Sequence, residues 1–363
     1  MGLGAAWLLR LRQEWPTQHP REAAVTTTTQ AGGASPVDFA AFGDYGDFRP
    51  KRPVAPAGTK PGEFVRAAYP FQGRITADGS SGFKAEPGRY HLYISWACPW
   101  ANRSAIVREL LGLQDVVSLS AVDPVRDGRG WAFRAGDGYG LDPVNGFALL
   151  RDAYEATQPG YDGHISVPVL WDKETSKIVS NNFPDITIDL DTQFTDWASL
   201  DYDLYPEHLR PQIDEINELV YATVNNGVYR SGFAGTQASY HQAVTALFDT
   251  LDQLERRLAG QRYLTGDTLT EADVRLWVTL ARFDAVYYSH FKCNLRRVAD
   301  YPNLWAYARD LYALPAFRRT TKFDQIKRHY YMTHPNLNPT RIVPDGPLID
   351  WDEPSGRDLL ASA

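Results

Sequence analysis

The sequence predicts an α/β half followed by an all-helical half, and three observations carry that prediction. A strand, a helix and a second strand fit into about 35 residues after Arg89, the signature of a parallel pair with a crossover helix. A shorter strand pair and a helix follow between residues 166 and 190. From Pro206 onward apolar residues recur at helical spacing, with no further strand pattern. Mixed elements first and helices alone afterwards describe two layers of structure around separate cores.

Residues 1–35 read as a disordered tail, because Thr26–Thr29 and Gly32-Gly33-Ala34-Ser35 offer too little apolar area to offset their ordering entropy. Leu3–Leu9 is apolar but has no basic residue before it, unlike a secretory signal. Residues 36–62, with Pro36, Pro50, Pro53, Pro56 and Pro61, read as an extended lead-in. Tyr90–Ser95 is rich in aromatic and branched residues, as strands are. Pro99 opens a helix over Trp100–Leu111, whose apolar Ala101, Ala105, Ile106 and Leu110 recur near 3.6 spacing, and Gly112 ends it. Asp115–Ala121 is the second strand.

Residues 122–164 are a long insertion rich in Gly and Asp, a length that is unusual without a function. Ser166–Trp171 and Lys177–Val179 read as a strand pair and Asn182–Leu190 as a helix. Helices then run over Pro206–Val224, Gln237–Leu258 and Glu271–Tyr288. The last begins with a capping box, Thr270 and Asp273, and a staple of Leu269 and Val274. The expected domains are 63–195, including the insertion, and 205–330, with a C-terminal extension over 331–363.

Composition excludes several functions. The 363 residues carry 37 basic and 44 acidic side chains, a net charge of −7 without a dense basic block, which argues against nucleic acid as a partner. No apolar run approaches the roughly 18 residues of a membrane span. Two cysteines cannot build a disulfide framework or a Cys-rich zinc site, and the histidines show no H-x-x-x-H or H-E-x-x-H spacing, so no metal is expected. The 20 Tyr, 16 Phe and 10 Trp suit flat hydrophobic ligands as well as ordinary cores.

Cys98 is the chemical centre. In Ser95-Trp96-Ala97-Cys98-Pro99-Trp100-Ala101 it stands between a strand end and a helix start, where free N–H groups and the positive end of the helix dipole favour a thiolate. The position of a second cysteine in a C-x-x-C redox site is held by Ala101, and Cys293 lies far away and reads as structural. Cys98 is therefore expected to act alone, with a separate thiol molecule opening any mixed disulfide formed on it. Val167-Pro168 opens the next strand, where a proline is awkward for a ladder and a cis peptide is an option.

These residues resemble those of the glutathionyl-hydroquinone reductases, the xi class of the glutathione transferase superfamily, over about residues 40–358. The motifs are Ser95–Ala101, Gly130-Trp131-Ala132-Phe133, Val167-Pro168-Val169-Leu170-Trp171-Asp172, Asn225-Asn226-Gly227-Val228-Tyr229, Gly232-Phe233-Ala234, Arg262–Gly266, His290–Cys293 and Asp352–Arg357. The resemblance implies an α/β thioredoxin-like N-terminal domain, an all-α glutathione transferase C-terminal domain and a homodimer. It implies an enzyme with no bound cofactor that uses glutathione as cosubstrate. Cys98 would attack the sulfur of a hydroquinone thioether, releasing the hydroquinone, and a second thiol would free the cysteine. It also implies that Tyr229 and Tyr330 contact the aromatic substrate as hydrogen-bond donors, with Tyr331 a competing assignment for the second. Trp131 would line the thiol site together with Pro99, Trp100, Val167 and Pro168.

One departure stands out. Where the family has Ser-Asn-Glu-Ser, this chain has Ser180-Asn181-Asn182-Phe183. The Glu-Ser pair holds the γ-glutamyl end of glutathione, so Asn182 and Phe183 predict weaker glutathione binding or another low-molecular-weight thiol such as mycothiol. Two rival functions share these residues: a general deglutathionylase or demycothiolase acting on mixed disulfides, and a non-catalytic protein that binds hydrophobic ligands. A thiol-consuming reaction and the lack of a signal pattern point to the cytoplasm.

Overall fold

The computed structural model describes residues 32–42 and 58–362. Most of the expected tail, 1–31, and part of the lead-in, 43–57, lie outside those residues. Residues 32–35, also assigned to the tail, are instead fixed to the insertion. Ala34 N–H donates to Phe133 O at 3.0 Å, and Arg134 Nε donates to Ser35 O at 2.7 Å. The partners come from about a hundred residues away, which composition cannot reveal. Nor is the lead-in extended throughout, since Phe39–Phe42 forms a helical turn, α1.

The sheet half is built around β1 (Tyr90–Ile94), whose five residues are all buried, as in a strand covered on both faces. Helix α2 (Pro99–Leu110) crosses over to β2 (Ser118–Ala121), which pairs parallel to β1 with His91 opposite Ser118. The helix closes where Gly112 takes φ +66° and Leu113 N–H reaches back to Arg108 O at 2.9 Å. The insertion carries a two-turn helix, α3 (Arg151–Thr157), that its Gly and Asp content does not signal. Strand β3 (Val169–Asp172) runs antiparallel to β1, and β4 (Lys177–Ser180) antiparallel to β3, giving the order β2-β1-β3-β4. Helix α4 (Phe183–Gln193) follows.

The helical half comprises α5 (Arg210–Val220), α6 (Gly227–Gly232), α7 (Gln237–Arg257), α8 (Glu271–Arg282), α9 (Pro302–Ala313), α10 (Pro315–Thr320) and α11 (Phe323–Thr333). Two expected helices are interrupted. The first ends in a wide π turn over Tyr221–Asn225, and the last passes into another over Phe283–Tyr287. Such turns shift the side-chain register by one residue and often accompany sites. In α8 every residue but Arg275 is buried, so this helix is the centre of the bundle. Its start is capped as expected, with Thr270 N–H donating to Asp273 Oδ2 at 2.8 Å, while Leu269 and Val274 are both buried. Among the described residues no helix is long and apolar enough to cross a membrane. The arrangement is a thioredoxin-like α/β half joined to an all-α half.

Candidate active site

The turn between β1 and α2 is held from both halves of the molecule. Cys98 is the N-cap of α2 in an extended conformation, with Pro99 in the first helical turn, where a missing N–H removes no bond. Its N–H donates to Ser95 O at 3.0 Å and its carbonyl accepts from Asn102 N–H at 3.0 Å. Arg282, the last residue of α8, donates through Nε to Ala97 O at 2.9 Å and through Nη2 to Trp96 O at 2.9 Å. Both of its Nη atoms also reach Asn102 Oδ1 at 3.2 Å, and Asn102 Nδ2 donates to Thr320 O at 3.0 Å. The carbonyls preceding the cysteine are thus anchored by a buried guanidinium from the far half of the chain.

Cys98 is half-buried and lines a cavity of about 380 Å³. Its Sγ–H lies 3.4 Å from Val167 O as donor, and the Val167–Pro168 peptide is cis. The electrostatic balance differs from the expected thiolate. Burial pushes the thiol up, and this outweighs the N–H groups of Ala101 and Trp100 and the charges of Arg282 and Arg66, all of which pull it down. The helix start does favour the anion, but the surrounding protein strips hydration from the charged form and outweighs it. Cys293 is fully buried and pushed up to about 12 by that burial, which suits the structural reading.

Three phenols are hydrogen-bonded together in the helical half, two of them in the cavity wall. Tyr229 and Tyr330 both line the cavity, and their hydroxyls are 2.5 Å apart, while Tyr330 also bonds Tyr287 at 2.9 Å. Burial holds all three well on the protonated side, so each can donate a proton or a hydrogen bond at neutral pH. Tyr331 points elsewhere: its hydroxyl meets Ser289 at 2.5 Å and donates to Ala285 O at 3.3 Å. Tyr287 has no signal of its own in the sequence, because the π turn that aims it breaks the helical period.

The insertion contributes Arg126, Trp131 and His164 to the lining, and α11 with its following turn contributes His329, Tyr330 and His334. Trp131 stacks on His329 with ring centres 5.0 Å apart. The segment before the sheet adds Phe64, Arg66 and Tyr69, which no periodic pattern picks out. Of the sequence-predicted thiol-site residues, Pro99 and Trp131 line the cavity; Trp100, Val167, Pro168, Asn182 and Phe183 do not. Trp100 and Phe183 form a buried layer behind it, stacked at 4.5 Å. Asn182 Nδ2 donates to Asp185 Oδ2 at 2.7 Å, so its amide is turned to its own helix start. Among the described residues no set of three His, Cys, Asp or Glu is placed to hold a metal ion.

Comparison with known proteins agrees with this geometry. Residues 237–310 match the glutathione S-transferase C-terminal domain family. The chain is 49% identical over 286 residues to the glutathionyl-hydroquinone reductase PcpF of Sphingobium chlorophenolicum, covering 79% of this chain and 90% of that one. The glutathione-bound structure of YqjG, a glutathione transferase homologue from Escherichia coli K-12, superposes with a TM-score of 0.78 at 46% identity, covering 80% of this chain and 96% of that one. The xi glutathione S-transferase of Phanerochaete chrysosporium gives 0.76 at 50% identity, covering 79% and 93%.

Proposed function

Because the chain belongs to the glutathionyl-hydroquinone reductases, the xi class of the glutathione transferase superfamily, we propose that it removes the thiol group from hydroquinone thioethers through a mixed disulfide on Cys98. The observation that carries the reading is a lone cysteine at a helix start, lining a cavity walled by phenols. As a thiolate, Cys98 attacks the thioether sulfur. A sulfur–sulfur bond forms, the aryl carbon–sulfur bond breaks, and the ring carbon takes a proton. The sulfur is oxidised and the ring reduced. Tyr229 and Tyr330, protonated and hydrogen-bonded to each other, supply that proton and bond the ring oxygens. A second thiol, as its thiolate, then attacks the mixed disulfide, leaving as the symmetrical disulfide and returning Cys98. Consumption of reduced thiol suits a reducing compartment such as the cytoplasm.

A second reading concerns the thiol. Phe183, 2% exposed and stacked on Trp100, supplies no hydroxyl for a γ-glutamyl carboxylate. Among the described residues no Asp or Glu lines the cavity to meet an ammonium group. Both features favour a thiol without an amino acid terminus, such as mycothiol, over glutathione.

Intact-mass analysis after incubation with a glutathionyl and a mycothiol thioether of one hydroquinone, and separately with the two thiols' disulfides, tests both readings. The expected result is one thiol adduct on the native chain, none on Cys98→Ser, and free hydroquinone in the supernatant. Turnover retained by Cys98→Ser would overturn the mechanism and favour ligand binding without catalysis. Adducts only from disulfide donors would favour the general deglutathionylase, and faster turnover with glutathione would overturn the mycothiol reading.

A further inference from the structure

The charges around Cys98 are few. Burial pushes His164 down to about 4, His329 to about 3 and His334 well below its ordinary range, so the imidazoles are neutral at pH 7. It pushes Tyr69 up to about 12 and raises Tyr229 and Tyr330, so the phenols are neutral as well. With no carboxylate among the described lining residues, guanidinium groups supply the permanent charge: Arg66 and Arg126 in the wall and Arg282 behind the turn.

They are not equivalent. Arg282 is occupied with the carbonyls of Trp96, Ala97 and Val278 and with Asn102. Arg126 sits over Trp131 on the insertion, 4.6 Å from the ring. Arg66 is packed against a ring pair: its Cζ lies 4.7 Å from the ring centres of both Trp100 and Tyr229, which stack on each other 6.0 Å apart and 28° from parallel. Its Nε donates to Asn226 Oδ1 at 2.9 Å and the guanidinium interacts with the Tyr69 hydroxyl, while Nη2 is buried without a partner at hydrogen-bonding geometry. A desolvated guanidinium N–H without an acceptor is costly in a folded protein. It becomes favourable when negative charge develops beside it.

We propose that Arg66 is a positioning residue for the Cys98 chemistry, a cation packed against the stacked rings of Trp100 and Tyr229, against which the sulfur ionises. The proposal rests on Cys98 being the nucleophile. Packing alone would account for the stack with Trp100 and Tyr229, but not for a charged group at the cavity wall with an unused donor. In this arrangement Arg66 offsets part of the burial that opposes ionisation, and it returns to that task each time the second thiol releases Cys98.

The test is the pH dependence of Cys98 alkylation by iodoacetamide in the full chain, for the native protein, Arg66→Met and Arg66→Lys. Cys293 is fully buried, and Cys98→Ser serves as the blank. Losing an opposite charge near a thiol is expected to raise the alkylation midpoint by about 0.3–0.5 pH unit, or roughly two- to threefold slower labelling at pH 7. Arg66→Lys restores charge without the planar stack and is expected to recover most of the midpoint. A midpoint unchanged in Arg66→Met, with turnover dependent on Cys98, overturns this proposal alone. Should Arg66→Met fail to fold, a lysine variant that keeps its melting temperature but shifts the midpoint as far as loss of charge would require also overturns it. Absence of labelling in the native chain overturns the Cys98 reading and this one together.

Discussion

Arg282 Nε donates to Ala97 O at 2.9 Å, joining the last residue of the central helix to the residue before Cys98, 185 positions away. The guanidinium is fully buried, and its remaining donors meet Trp96 O, Val278 O and Asn102 Oδ1. The two halves are therefore coupled at the thiol itself. A bundle that shifted by a fraction of an ångström would move the turn that aims Cys98.

Arg282→Met is expected to lower unfolding stability by about 3–5 kcal/mol, because it leaves buried acceptors unpaired on the turn and on Asn102. Denaturant unfolding of the full chain measures the loss. A loss below about 1 kcal/mol would mean that water or Asn102 takes over the acceptors.

Tyr330→Phe removes the hydroxyl that links Tyr229 and Tyr287 while keeping the ring. Loss of a general acid typically costs about 10²-fold or more in kcat, with the adduct on Cys98 still able to form from a disulfide donor. Tyr331→Phe is expected to leave kcat within about twofold, since its hydroxyl is committed to Ser289 and Ala285 outside the cavity. Steady-state kinetics of the two variants side by side checks the assignment. Equal losses would mean that the pair acts through packing alone.

Local signals made the thiol turn readable from the chain: an aromatic strand, a proline at the first helical position and a glycine that closes the helix. The capping box of α8 was readable for the same reason, since its partners are three residues apart. Arg66, Arg126 and Arg282 were not, because their roles come from contacts across the chain that no period encodes. Tyr330 was placed only through resemblance, and Tyr287 was missed because a π turn displaces it from the helical register. A helix start favours ionisation, but sequence does not reveal how deeply the sulfur is buried, and burial wins.

Buried histidines set an acid limit on stability. Burial pushes His91, His164 and His290 to about 4 and His329 to about 3, so the folded chain resists protonation that the unfolded chain accepts below its ordinary histidine range near 6.5. Their contribution is fully present above about pH 6.5 and is lost as pH falls toward about 4. Four carboxyl groups act in the opposite sense: burial raises Asp191 to about 7, Asp273 to about 6, and Asp189 and Asp284 above their ordinary range, so their neutral forms are favoured and their cost grows as pH rises. With His334 pushed well below its ordinary range as well, five imidazoles stand against these four carboxyls, and the histidines dominate between pH 6.5 and 4. The melting temperature is expected to fall by about 5 °C or more between roughly pH 7.5 and 5. A flat profile would show that these imidazoles find counter-charges when protonated.

The last test concerns what the thiol pocket selects. Phe183 fills the layer behind the cavity, stacked on Trp100 at 4.5 Å and edge-on to Tyr69 at 5.3 Å, with the Arg103 guanidinium 5.0 Å from its ring. Replacing it alone by serine removes a buried ring and is expected to cost about 3–5 kcal/mol of stability. Pairing it with a carboxylate, Asn182→Glu with Phe183→Ser, recreates a hydroxyl and a charge at the start of α4. The helix N–H groups there already favour an anion. If the natural phenylalanine is what disfavours a γ-glutamyl group, the double variant lowers the KM for glutathione by about tenfold, the worth of one charge-assisted hydrogen bond. Its kcat should change little, because Cys98 and the phenols are untouched. A melting curve run beside the kinetics separates lost protein from altered affinity. An unchanged KM in a folded double variant would place thiol selection elsewhere in the cavity, and Phe183 would then be only the packing partner of Trp100.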